Sequence, residues 1–298
     1  MSAPPAREPA VAGLFYPAAT ERLDELVTAL FEAADRLAGA SGASGGRGGL
    51  PLGLLVPHAG LVYSGIPAAA AWASLPAGGA APTVVLLGTN HGATWLRGVG
   101  VFERGTWSIP GSSFVVDAAL AAEILALGPP FVTDAAAHAG EHSIEVQLPL
   151  LAAAAPGARI VPLAVACGTG DRAIEAGAML GRLLGARRTS GDPVVLVISS
   201  DMAHYPDATT CDAVTERLLP AITALDARRL AADEAGVRGD RLEGVACGMC
   251  GIEPAVLGLA ALGAMGAGRG TPLAASSSAD AGGPDDRTVG YLAVRFDP

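Results

Sequence analysis

Apolar positions along the chain fall into two kinds of run. Short blocks of consecutive Leu or β-branched residues occur at Leu52–Val56, Thr83–Leu87, Ile160–Leu163 and Val194–Ile198, the pattern of strands buried on both faces. Between them, apolar residues recur at helical spacing around Asp117–Leu127, Ile144–Ala155, Asp171–Leu184, Cys211–Leu225 and Ile252–Ala264. A further helix is predicted from about Thr20 to Leu37, capped by Thr20, with Leu23, Leu26, Leu30 and Leu37 near one face. Val289–Phe296 alternates and reads as a closing strand. Strands separated by helices predict an α/β fold, one domain over residues 1–298, with a central mostly parallel or mixed sheet flanked by helices. Gly39–Gly49 and Gly266–Arg287 are poor in apolar groups and read as flexible loops.

Composition narrows the function. Hydrophobic residues make up 51% of the 298 and charged residues 16%, which excludes a disordered chain. A net charge of −10 argues against a nucleic-acid groove or an anionic-membrane patch. All 19 basic residues are Arg, so Schiff-base lysines, Walker-type phosphate lysines and lysine general bases are excluded. The chain holds one Asn, Asn90, and one Gln, Gln147, as expected of a GC-rich, bacterial coding background. Residues that persist against that bias carry extra functional weight. Met1–Pro9 lacks an apolar stretch behind a basic start, no uninterrupted run of 18 apolar residues occurs, and four Cys do not make a disulfide framework. The expectation is a cytoplasmic protein with neither a membrane nor a nucleic-acid partner.

Three of the five histidines share one context. His58, His91 and His204 each follow a strand run, in VPHAG, GTNHG and SSDMAH. Ligands of open α/β sheets bind outside the carboxyl ends of the strands, so three imidazoles delivered there are expected to converge. Asp201, three residues before His204, is read as orienting that ring, as serving a metal's outer shell, or as capping a helix. Cys247 and Cys250 form a C-x-x-C before a helical pattern, which suits a redox pair or half a zinc site. Cys167 and Cys211 are too dispersed to complete a Cys₄ knuckle, and Cys247 reads as a small buried residue. In Glu141–Leu150 the two Glu either form a solvated helix start, or His142 lines the crevice as an acid/base or substrate contact.

Together these stretches resemble the MEMO family, including the members called AmmeMemoRadiSam system protein B. The resemblance runs from REPAVAGLFYP at Arg7–Pro17, through VPHAG, GTNHG and the Glu141–Pro149 block, to SSDMAH and CGIEP at Cys250–Pro254. It implies a fold like that of the class III extradiol dioxygenases and a metal pocket. The family's metal ligands fall on His58, His91 and Cys250, its Asp and His on Asp201 and His204, and its E-H-S-I-E histidine on His142. Related dioxygenases carry a carboxylate where this sequence has Cys250. The bacterial family name implies a radical-SAM protein and an AMMECR-type protein as partners.

Two imidazoles and a thiolate are softer than a two-His-one-carboxylate triad and suit Cu(I), Zn or Fe(II). The leading expectation is a mononuclear iron or copper site, with zinc a third option. His58, His91 and Cys250 are its ligands, and His204, Asp201 and His142 are the catalytic groups. The activity would be redox or dioxygenase-like on a small molecule. Two alternatives stay open: a non-catalytic metal- or peptide-binding signalling module, and a metal-free enzyme using Cys250 as nucleophile with His204 and Asp201.

Overall fold

The computed structural model describes residues 6–40, 49–78 and 80–298. Most of the connector expected at Gly39–Gly49 lies outside the described residues. In chain order the elements are β1 (Ala6–Arg7), α1 (Thr20–Ala40), β2 (Gly53–Val56), α2 (Leu61–Ala73), β3 (Thr83–Thr89), β4 (Gly98–Val101), β5 (Thr106–Ile109) and β6 (Ser112–Val115). Then come α3 (Ala118–Ala126), β7 (Phe131–Thr133), α4 (Leu148–Ala154), β8 (Arg159–Ala166), α5 (Asp171–Thr189) and β9 (Val194–Ser199). The chain closes with α6 (Ala208–Thr223), α7 (Ala227–Gly239), α8 (Ile252–Met265), β10 (Arg269–Ser277) and β11 (Gly290–Asp297).

Eight strands form one sheet in the order β10-β11-β2-β9-β3-β8-β4-β7, and β1, β5 and β6 form a small second one. The four central strands β2, β9, β3 and β8 are parallel. At the margins β11 is antiparallel to β2, β10 to β11 and β4 to β8, so the sheet is mixed. Alternate residues of the parallel strands enter opposite cores. Leu55, Val85, Leu87, Leu196 and Ile198 pack with residues of α5, α6 and α8. Leu54, Val56, Val84, Leu86, Val195 and Val197 pack with residues of α1, α2 and α4. Burial on both faces explains why these strands are apolar at consecutive positions.

Several sequence expectations need correction. Gly266–Arg287 is not a continuous loop: residues 269–277 form β10, whose backbone groups pair with β11 over nearly its whole length. It is an edge strand that shifts register between Pro272 and Ala274, and the Pro there, lacking an N–H, is tolerated at an edge. Its Ser-rich end, which reads as a loop, is buried at Ser277. The helix expected from Ile144 begins as a 3₁₀ turn at Glu145–Gln147 and becomes α4 at Leu148. Helices α2 and α7 carry no readable apolar period. The first is nearly all small or apolar with Pro67 inside it, and the second is dominated by charge.

Candidate metal centre

Loops leaving the carboxyl ends of β2, β3 and β9 deliver His58, His91 and Asp201 to one point, and the turn entering α8 delivers Cys250. Imidazoles of His58, His91 and His142 form a compact trio: His91 and His142 stack with centroids 4.5 Å apart, and His58 stands edge-on to each at 5.5 Å. The potential ligand atoms of these three residues all lie within 4.8 Å of one another, as do those of His58, Asp201 and Cys250. His58 belongs to both sets, and among the described residues no such set holds His91 together with Cys250. The expected ligands therefore meet at His58, which is common to both sets, with His142 as an added imidazole.

Glu141 aims His91. Its Oε1 accepts from His91 Nδ1 at 2.9 Å and its Oε2 from the His91 backbone N–H at 2.8 Å. Burial alone would raise this carboxyl, but the His91 side chain and the backbone N–H groups of His91 and Ser143 hold it well below the ordinary carboxylate range. An ionised carboxylate only accepts, so His91 Nδ1 carries the proton of that contact. This is the carboxylate–histidine device that steers metal-ligating imidazoles. His142 lies under Phe15, ring centroids 4.6 Å apart, with its Nδ1 3.5 Å from Glu141 Oε1. The solvated helix start expected for this block is not found, since Glu141 and Glu145 are both buried.

Asp201 does not cap a helix. Its Oδ1 accepts the backbone N–H groups of His58 and Ala59 at 2.6 and 3.2 Å, which ties the β2 loop to the β9 loop. Its Oδ2 lies 3.9 Å from His204 Nε2, a buried nitrogen with no hydrogen-bond partner among the described residues. Burial pushes the Asp201 carboxyl up to about 7 and the His204 imidazole down to about 4, so between those values both are neutral. Cys250 Sγ is 3.3 Å from His58 Nε2 and accepts the Asp201 backbone N–H at 3.3 Å. Gly251 makes that approach feasible: a Cβ there would sit 2.5 Å from Ser200 Cβ. Cys247 contributes its backbone, its carbonyl accepting the His204 N–H at 3.1 Å, while burial pushes its thiol up to about 11.

The donors fit a divalent or soft monovalent cation. Burial keeps His58 and His142 neutral. Burial, then Asp201, pushes the Cys250 thiol well up. A thiol and a carboxyl held neutral by burial are groups that an adjacent cation ionises. A cleft of about 420 Å³ opens beside them, lined by His91, Cys250, Asn90, Arg97 and Glu253 among others. No helix of the described residues is long and apolar enough to cross a membrane.

Sequence reasoning left Ser199 and Gln147 without roles, and treated Glu141 as part of a polar block. Ser199 Oγ lies 3.0 Å from His58 Nδ1, and Gln147 reaches that hydroxyl from behind. Being the single Gln was the available signal. The fifth histidine, His138, is buried apart from the cluster against Trp107 and Phe102.

The Memo family model, described as Memo-like protein, matches residues 7–295. A MEMO1 family protein of Methanosarcina acetivorans is 34% identical over 97% of this chain and 98% of its own. MEMO1 family proteins of Methanopyrus kandleri and Aquifex aeolicus are 33% and 32% identical over the same shares. An uncharacterized protein from Escherichia coli K12, solved by crystallography, gives a TM-score of 0.49 at 18% identity, covering 82% of this chain and 98% of that one.

Proposed function

This chain belongs to the Memo family, and from that premise we propose that it holds a single iron or copper ion at His58. His91 and Cys250 complete the ligand set, and His142 is the adjoining imidazole. The observation that carries this reading is the closure of the His58, His91 and His142 ligand atoms to within 4.8 Å, with Cys250 Sγ 3.3 Å from His58 Nε2. Such an ion supplies redox or Lewis-acid chemistry to a small molecule in the cleft beside it.

The chain's own groups provide the rest. Asp201 and His204 form a neutral acid–base pair at the edge of the cluster, able to take or give a proton at Oδ2 and Nε2. Glu141 holds the His91 ring. Zinc remains a third metal of the same donor preference. As a member resembling system component B, the protein is proposed to act with a radical-SAM protein and an AMMECR-type protein.

Elemental analysis of anaerobically purified protein is the test. One equivalent of iron or copper, lost in His58→Ala and reduced in Cys250→Ser, is expected. Metal-free protein that regains none on incubation with Fe(II) or Cu(I) overturns the proposal. The 3.3 Å contact between Cys250 Sγ and His58 Nε2 also favours a second reading, a metal-free thiol–imidazole pair. Fast alkylation of Cys250 by iodoacetamide at neutral pH marks that alternative, and the half-buried, protonated thiol is expected to react slowly.

A further inference from the structure

We propose that Ser199, locked by Gln147, holds His58 in the Nδ1–H tautomer and so keeps the Nε2 lone pair open toward the cluster. This rests on the metal reading for its purpose, though not for its geometry. The assignment follows from counting protons along one buried chain of hydrogen bonds.

The chain starts at groups that can play one role only. The Trp72 indole Nε1 is a donor, and it meets Gln147 Oε1 at 3.1 Å. That contact fixes the amide orientation, with Nε2 on the opposite branch. Both Nε2 hydrogens are then committed: one to the Pro57 carbonyl at 2.9 Å, the other to Ser199 Oγ at 3.0 Å. Ser199 has a single hydroxyl proton. It goes to the Ser143 carbonyl at 2.7 Å, an acceptor with nothing to donate. The remaining lone pair of Ser199 Oγ faces His58 Nδ1 at 3.0 Å, so the imidazole must be the donor there. With its proton on Nδ1, neutral His58 presents a bare Nε2 to Cys250 Sγ, 3.3 Å away.

The enclosure of His58, 1% exposed, favours a ring with a single proton. A free neutral histidine in water favours the opposite tautomer, with the proton on Nε2, where it would block a ligand position. The network therefore spends several buried polar groups on a choice that water does not make. Glu141 makes the same choice for His91 with a charge. Ser199 and Gln147 are positioning residues and touch no reacting atom.

The experiment is two-bond ¹H–¹⁵N correlation on the full, metal-free chain labelled with ¹⁵N-histidine, above pH 7. Wild-type His58 is expected to show the pattern of a protonated Nδ1 and an unprotonated Nε2. Ser199→Ala, which removes the acceptor, is expected to move His58 to the Nε2–H pattern and to weaken Fe(II) binding roughly 10–100-fold. Gln147→Met frees the hydroxyl to rotate and is expected to show both patterns. A wild-type spectrum with the proton on Nε2 overturns the proposal whether or not either variant folds. An unchanged tautomer in folded Ser199→Ala overturns it as well, and an unchanged one in Gln147→Met removes Gln147 from it. Wild-type protein that binds no metal but shows the Nδ1–H pattern defeats the metal reading and supports the tautomer assignment.

Discussion

Glu141 faces the histidine cluster, and Glu145, four residues further along, faces the amino-terminal strand. Both are buried and both accept several hydrogen bonds, but the donors differ. Glu141 collects the ring and backbone N–H of His91 and the backbone N–H of Ser143. Glu145 collects the Arg7 guanidinium at 2.6 Å, the backbone N–H groups of Ala10 and Val11, and the Tyr16 hydroxyl at 2.6 Å. One carboxylate orients a side chain that remains partly open to the cleft. The other fastens residues 7–16, and with them Phe15, against the Glu141–Gln147 turn. Removing the first should cost affinity, and removing the second should cost folding.

The largest expected effect is on the Glu145 side. Glu145→Ala leaves the buried Arg7 guanidinium without its counter-charge, and a loss of about 3–5 kcal/mol is expected in urea unfolding. A loss below about 1 kcal/mol would erase the contrast.

Acid should loosen the same region next. His138, whose carbonyl accepts from Arg7 Nε, is held down to about 4 by burial, against an ordinary 6.5. Between those values the unfolded chain binds a proton that the folded chain refuses. His138 therefore costs no stability at pH 7, and its penalty grows as pH falls through 6.5 toward 4. It amounts to about 3 kcal/mol in all. His138→Gln, which can still donate to the Gly100 carbonyl, should flatten that part of the stability–pH curve relative to wild type. Parallel curves would place His138 outside the acid response.

Glu141→Gln sharpens the other side. An amide oxygen cannot replace two carboxylate oxygens toward His91, so Fe(II) or Zn(II) affinity is expected to fall roughly 10–100-fold. Isothermal titration reads this, and the loss of stability should be smaller than for Glu145→Ala. The smallest effect serves as the baseline. Arg36 and Glu32 pair at 3.8 Å with both side chains exposed, and Arg36→Ala should change unfolding stability by less than ~0.5 kcal/mol.

This pair of carboxylates also marks how far the sequence could be read. Strand runs ending in VPHAG and GTNHG were enough to bring His58 and His91 to one crevice, because the sheet topology does the rest. The central parallel strands were legible for the same reason, since burial on both faces leaves an unbroken apolar run. The separate tasks of Glu141 and Glu145 were not legible. Their partners sit 50 residues away at His91 and 138 away at Arg7, and no local pattern records such distances. β10 escaped notice because an edge strand built from small and polar residues owes its shape to backbone pairing. The role of Ser199 was hidden for a related reason: a hydroxyl's direction depends on what its neighbours leave free.

His58 and Cys250 are 192 positions apart in the chain, and their contact needs β2, β9 and the start of α8 in place at once. During synthesis the ribosome delivers both imidazoles of the early strands long before the sulfur emerges. The full set of His58, His91 and Cys250 therefore exists only once translation has passed residue 250.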